Sequence, residues 1–350
     1  CPPPTGWYTP RLMETRPVIL RETAPGATAA VGLWVRCGAA SEPRTLAGVT
    51  HLLEHLLLRR CGERTPQSIA ELTDSLGGSV DAFTTLEVCA VTAHVPAERL
   101  GEAAELVLDA IVRPVIQPDE LDLERSVVAA EFDLVQDSPS EVVAELALQA
   151  CWGKHPIARP VLGDRKVVER LNVDDLVAFH RSHFGAGNLV LVVVVPPGTS
   201  VALPDLDVAT RGLGSERAPL RAPGWRSGLL VEEREGIEQL YANLVLPGVP
   251  ADHHDVYTLG VLHQLLGGGA SSRLFRELRD RLGLVYEIST SVYAAACSGV
   301  LEVVFSAPLR QAGACWDALG AVLDDVGAGR LSDREVELAR QALLAGVVLG

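Results

Sequence analysis

Two hydrophobic periods divide the chain. Runs with a period near two, or short continuous apolar runs, predict strands at 17–20, 29–36, 79–95, 189–195, 229–233, 240–246, 285–293 and 299–307. Between them, apolar residues three and four apart predict helices at 45–58, 66–76, 97–112, 118–136, 140–152, 173–183, 253–266, 271–282, 311–327 and 332–348. Local chemistry sharpens several ends. Thr65-Pro66 pairs a capping hydroxyl with a proline at the first helical position, and Gly77-Gly78 closes that helix. Gly267-Gly268-Gly269 breaks the helix at 253–266. The aliphatic run Leu189 to Val195 predicts a buried strand.

Both halves show the order strands, helix, strands, helix, which suggests a duplicated α+β unit without a residue-level repeat. A chain of 350 residues has room for two domains of roughly 150 to 200 residues each. Residues 196–228 hold five prolines and five glycines and predict the connection. The expected division is a first domain at 1–200, a linker at 201–228 and a second domain at 229–350.

Composition narrows the class. With 48% hydrophobic residues the chain can bury real cores, unlike a disordered protein. Thirty basic against 45 acidic residues leave a net charge of −15, a poor balance for nucleic-acid binding. The acidic surface favours solubility and, equally, basic peptides. No apolar run approaches the roughly 20 residues of a spanning helix, and no signal-peptide pattern is visible, so a bacterial cytoplasmic protein is expected. The seven cysteines (1, 37, 61, 89, 151, 297, 315) are widely spaced without C-x-x-C and read as free, buried thiols.

The informative segment is His51-Leu52-Leu53-Glu54-His55. Residues four apart share a helix face, so both imidazoles can hold one metal ion with Glu54 beside them. A catalytic zinc takes a third protein ligand, and the helix at 118–136 offers Glu124 and Glu131 on one face. Glu131 stands in the apolar stretch Val127-Val128-Ala129-Ala130-Glu131-Phe132, where a carboxylate needs a partner. Taken alone, that helix also reads as amphipathic with its acids in water. His180-x-x-His183 reads as a helix end, and His253-His254 between Asp252 and Asp255 as an exposed helix start. No G-x-S-x-G elbow and no phosphate-binding glycine motif of the Walker or dinucleotide type is present.

These spaced motifs resemble the pitrilysin/insulinase family of zinc peptidases, the group that includes the mitochondrial processing peptidase. Glu131 follows His55 by 76 positions, where that family places a ligand glutamate, and Glu124 matches its second glutamate one heptad earlier. Asp137-Ser138-Pro139, Gly163 and Asn188 extend the likeness. In the second half, Leu266 to Phe275 (LGGGASSRLF) is similar to the family's glycine-rich turn, and Arg279 and Tyr286 fit its R-x-x-x-G-x-x-Y segment. Two departures stand out: Asp81 where the family usually has Asn, and Arg59-Arg60-Cys61 in place of an aromatic and a lysine.

The resemblance implies an α+β fold of two related sandwich domains, each an antiparallel-rich sheet covered by helices. It also implies that the chain stops at Gly350 short of the family's usual end, and Cys1 suggests a trimmed start. It implies one Zn2+ per chain on His51, His55 and Glu131, with Glu54 as general base and Glu124 supporting the ligands. Arg279 and Tyr286 are then catalytic and substrate-binding groups from the second domain. The strand around Asp81, Ala82 and Phe83 would bind an extended peptide by β-augmentation. The expected activity is hydrolysis of unfolded peptides, by an endopeptidase or oligopeptidase working as a homodimer or as a heterodimer with a related subunit. The alternatives are a zinc hydrolase tailoring a peptide-like natural product and a subunit that needs a partner for activity.

Overall fold

The computed structural model describes residues 18–202, 204–217 and 219–349. Pro17, the start of the first expected strand, and Cys1 and Gly350 lie outside the described residues. Two compact units emerge: 1–133 with 159–219, and 134–158 with 220–350. The sequence reading placed 134–158 in the first domain. These residues join the second unit instead, because helix α5 (Pro139–Trp152) buries Val142, Ala147, Cys151 and Trp152 and packs beside strand β6 (Gln239–Pro247).

The first unit is built on five strands, β1 (Val18–Thr23), β2 (Thr28–Val35), β3 (Ser79–Thr84), β4 (Cys89–Pro96) and β5 (Leu189–Val195), in the order β1-β5-β2-β4-β3. Only the β1–β5 pair is parallel. The helices of this unit are α1 (Val49–Leu57), α2 (Pro66–Leu76), α3 (Leu100–Val112), α6 (Arg165–Val168), α7 (Val173–His183), α8 (Leu206–Ala209) and the body of α4 (Pro118–Asp137). The run at 79–95, which reads as a strand pair or one long strand, forms the pair: a hairpin turning at Thr85, whose hydroxyl accepts from the N–H groups of Glu87 and Val88. Strand β5 corrects a second expectation. It alternates buried and half-buried residues, because helices seal one face of this largely antiparallel sheet more completely than the other. On the sealed face Ala29, Val31, Leu33 and Val35 of β2 meet Leu106, Val107 and Ala110 of α3 in one core with the leucines of α1.

Helix ends follow their side chains. Thr65 caps α2 by accepting from Ser68 N–H, Pro66 takes the first position, and Gly77 closes it at φ 70°. Asn172 and Asp175 form the capping box of α7.

The second unit carries a three-stranded antiparallel sheet, β6-β8-β7, with β7 at Glu287–Ala294 and β8 at Gly299–Pro308. Helices α9 (Val256–Gly267), α10 (Ala312–Gly327) and α11 (Asp333–Leu349) accompany it, with a π-helical segment at Phe275–Arg281. Its order matches β2-β4-β3 of the first unit, so the duplication suggested by element order is visible in the topology. The strand expected at 229–233 does not form. No strand pairs with it among the described residues, and Leu229 and Val231 stay 80% and 71% exposed. Of the six described cysteines five are buried, Cys37, Cys61, Cys89, Cys151 and Cys315, and Cys297 is half-buried. No helix among the described residues is long and apolar enough to cross a membrane.

Candidate metal centre

The centre starts with the two faces of α1. Leu52, Leu53, Leu56 and Leu57 are fully buried, which turns His51, Glu54 and His55 together to the opposite, half-buried side. The start of this helix is fixed from a distance. Its capping position is Gly48, at φ 99°, which has no side chain to offer. The buried carboxylate of Glu42 takes that role and accepts from Gly48 N–H and Thr50 N–H, both at 2.7 Å. Arg159 in turn donates to the Glu42 carbonyl at 2.6 Å. Gly163, at φ 83°, lies so close that a Cβ there would stand 2.2 Å from Gly48 N.

Helix α4 brings the facing carboxylates. Glu120, Leu121, Glu124 and Val128 are its buried residues, and Glu131 continues the same row half-exposed. Glu131 Oε2 lies 3.5 Å from His51 Nε2, and Glu131 Oε1 lies 3.5 Å from His55 Nε2. His55 Nδ1 is 3.2 Å from Glu124 Oε2, so Nε2 is left pointing at Glu131. Arg59 Nε pairs with the other Glu124 oxygen at 3.2 Å, and Arg60 donates to Glu120 at 2.9 Å. The structure thus joins α1 to α4 by two arginine–glutamate pairs and brings His51, Glu54, His55, Glu124 and Glu131 into one cluster. The ligand atoms of His51, Glu54 and His55 all lie within 4.8 Å of one another.

Electrostatics sets the protonation. Burial, reinforced by the neighbouring His55, lowers the His51 pKa to about 4, so its imidazole is neutral and free to donate a lone pair. Burial raises Glu54 to about 7; the Glu131 charge adds to this and His55 opposes it. A carboxyl group in that range can accept and release a proton near neutral pH.

The donor set fits a divalent metal. Two imidazole nitrogens and a carboxylate are a zinc ligand set, and ligands about 2.0–2.2 Å from a tetrahedral ion stand roughly 3.3–3.5 Å from each other. The two 3.5 Å separations around Glu131 have that spacing and are too long for hydrogen bonds.

The remaining expected residues fall in two other places. Asp81, Ala82 and Phe83 lie on β3, at the sheet edge, with Asp81 and Phe83 on its exposed side. Arg279 and Tyr286 belong to the second unit and come together there. The Arg279 guanidinium lies 5.8 Å from the Tyr286 ring centre and 4.6 Å from that of Phe275, and Tyr286 is 81% exposed. His180 and His183 are structural, within bonding distance of the Ile111 and Phe179 carbonyls at 2.8 and 2.9 Å. His253 sits half-buried, and His254 and Asp255 exposed, just ahead of α9. The sequence reading missed Glu42 and the partners of Arg59 and Arg60. For Glu42 the one signal was an omission, a helix whose capping residue is glycine.

Comparison with known proteins places the chain in a family. The family description "Insulinase (Peptidase family M16)" matches residues 17–165, and "Peptidase M16 inactive domain" matches residues 217–343. An uncharacterized zinc protease of Mycobacterium leprae is 33% identical over 332 residues, covering 92% of this chain and 74% of the relative. One from Bacillus subtilis is 26% identical over 337 residues, covering 95% and 81%. Among solved structures, a peptidase M16 inactive domain from Pseudomonas fluorescens superposes with TM-score 0.87 at 19% identity, covering 94% of this chain and 81% of that one. A protease from Helicobacter pylori does so with TM-score 0.83 at 19% identity, covering 95% and 83%. These two structures share the fold, the relatives share the sequence across both halves, and the chain belongs to the insulinase family of peptidases, M16.

Proposed function

We propose that the protein is a zinc-dependent peptidase that cleaves extended peptides, with His51, His55 and Glu131 as the metal ligands. The observation that carries this reading is the convergence of Glu131 on both Nε2 atoms at 3.5 Å, across an interval of 76 residues. The names of the relatives, zinc proteases, support the choice of metal. A bound zinc ion would supply a Lewis acid and a water acidic enough to ionise near neutral pH.

The chain's own groups do the rest. Glu54 takes the proton of the attacking water as oxygen bonds to the scissile carbonyl carbon, then hands it to the amide nitrogen as the C–N bond breaks. Its burial suits both halves of that transfer, since a carboxyl group near 7 is neither fully charged nor fully protonated at work. Glu124 and Arg59 hold the His55 ring. Glu42 holds the start of the helix that carries three of the groups. The free edge of β3 pairs with the peptide backbone, which gives affinity with little demand on sequence, while Asp81 and Phe83 read neighbouring side chains. Arg279 and Tyr286 bind the substrate from the second unit, as an exposed aromatic and cation pair can.

The test is mass spectrometry of a diverse unfolded-peptide mixture incubated with zinc-loaded wild type and with Glu54→Gln. Cleavage by wild type alone supports the reading. Equal cleavage by the variant rejects Glu54 as the base, and no cleavage by wild type rejects a self-sufficient peptidase in favour of a subunit that needs a partner or of a non-peptide substrate.

A further inference from the structure

Two arginine–glutamate pairs fasten α4 to α1 at Glu120 and Glu124. Glu131, which faces both imidazoles, lies about two turns further along the helix. Its carboxylate is half-exposed, so its place depends on where the backbone of α4 lies.

That end of α4 is held from behind. Arg165, the first residue of α6, donates to the Ala129 carbonyl at 3.1 Å and to the Asp133 carboxylate, and its guanidinium lies 5.4 Å from the Phe132 ring centre. At roughly 100° per residue, positions 129, 132 and 133 share the side of α4 opposite Glu131. Asp133 is also the last residue of α4 that belongs to the first unit. Nearer the middle of the helix, Arg125 donates to the Leu171 carbonyl at 2.7 Å. Helix α4 is thus tied twice to one short stretch, 165–171.

The same stretch is fitted against the start of α1. The Asp164 N–H donates to the Ala47 carbonyl at 3.3 Å, and the Asp164 carboxylate caps α6 by accepting from the N–H groups of Lys166 and Val167. A Cβ on Gly48 would stand 2.5 Å from Val168 Cγ2 and 2.6 Å from the Leu162 carbonyl oxygen, so nothing fits between the two segments. Contacts packed this closely resist compression and pass displacement on. Residues 162–168 therefore touch the start of α1 with one side and the Glu131 end of α4 with the other.

We infer that Gly163–Val168 is a brace that sets the spacing of the two metal-bearing helices, with Arg165 as a positioning residue for Glu131. Arg165 acts through the backbone of α4 and bonds to none of the three ligands among the described residues. The inference rests on the reading of His51, His55 and Glu131 as ligands. Arginine suits the task, because its planar fork can hold a carbonyl and a carboxylate while lying over a ring, whereas lysine offers a point charge. A half-exposed ion pair adds little to overall stability. A metal site, in contrast, works only within about 0.5 Å of its proper geometry. Loss of Arg165 should therefore reach the metal before it reaches the fold.

Competition with a chelating dye measures the zinc affinity of the full chain, and Co2+ substitution reports its ligand geometry through the d–d absorption. Arg165→Ala should bind zinc about tenfold more weakly and show a weaker d–d band, with the circular dichroism and thermal midpoint of the metal-free protein unchanged. Arg165→Lys should recover part of the affinity. Asp133→Ala should act in the same direction but less, and should add nothing in the Arg165→Ala background, because both changes break one link. Arg340→Ala, which breaks an exposed ion pair on α11, should leave zinc affinity at the wild-type value. Equal affinity in wild type and Arg165→Ala overturns the inference and leaves the ligand assignment standing. An affinity loss that tracks a falling midpoint of the metal-free protein reduces Arg165 to a general structural role and overturns it as well. A wild type that binds no zinc removes the ligand assignment, and the inference with it.

Discussion

Helices α1 and α4 of the first unit and α9 and α11 of the second occupy the same places in the element order, yet among the described residues the facing sides of the first pair carry a cluster of metal-ligating groups and those of the second do not, its one such group, His253-His254-Asp255, standing ahead of α9. Each pair accompanies a sheet of the same order, β2-β4-β3 or β6-β8-β7. In α1 the leucines at 52, 53, 56 and 57 take one face and leave His51, Glu54 and His55 on the other, where Glu124 and Glu131 of α4 meet them. In α9 the buried residues are Leu265, Leu266 and Gly267, and Leu343 of α11 lies 3.2 Å from where a Cβ on Gly260 would stand. Its one histidine, His263, is spent on Thr290, with Nδ1 2.8 Å from the hydroxyl. The frame asks only for an apolar face. The chemistry comes from a second row of residues that the frame neither requires nor forbids, and the two rows vary independently.

The sharpest way to break this contrast is Glu54→Gln. It keeps shape and ligands but removes the proton acceptor, so turnover should fall by about 10²–10⁴-fold with metal content unchanged by elemental analysis. Full activity would place the base elsewhere. A smaller effect is expected from Glu124→Gln, which touches no ligand atom on Glu131 but loosens the His55 ring. Zinc affinity should drop by about 10- to 100-fold, measured by competition with a chelating dye. His263→Ala is the matched control in α9, and it should leave zinc stoichiometry at the wild-type value; a lost ion would mean that the second helix pair also binds metal. Arg279→Ala comes next: a fall in peptide cleavage with zinc content intact is expected, and an unchanged rate would remove the second unit from substrate binding.

Much of the first row was legible in the sequence, and part of the second. The leucines of α1, the Thr65 cap and the span of α4 follow from periodicity and local chemistry, which act over a few residues. The cluster of His51, Glu54 and His55 was legible for the same reason, since one helical turn brings them together. Glu124 and Glu131 were both legible as candidate ligands on one helix face, and the family resemblance selected Glu131, because an interval of 76 residues carries no local signal. Glu42 stayed hidden for another reason, although its partners are only six and eight residues away: they are backbone N–H groups, which every residue but proline has. The Arg59–Glu124 and Arg60–Glu120 pairs depend on how α4 lies against α1. The missing strand at 229–233 shows the opposite failure. Leu229-Leu230-Val231 has the right pattern, but a strand exists only when another chain segment completes its ladder.

Glu42 gives the most delicate test, because its effect lies in pH dependence rather than in activity. Burial raises its pKa to about 7, against the pull of the Gly48 and Thr50 N–H groups, whereas in the unfolded chain it titrates near 4.5. Between those values the folded protein holds a proton that the unfolded chain has released. Stability contributed by this group is therefore present below about 4.5 and declines as pH rises towards 7, beyond which both states are ionised. Glu42→Gln cannot titrate and should lose that slope. Urea midpoints of metal-free protein at about pH 5 and 7.5 should converge in the variant relative to wild type, by on the order of 1–3 kcal/mol. Every other titrating group is common to the two proteins and cancels in the difference. Parallel curves would mean that Glu42 is ionised throughout, held by its two N–H bonds as a charged cap on the helix that carries the metal cluster.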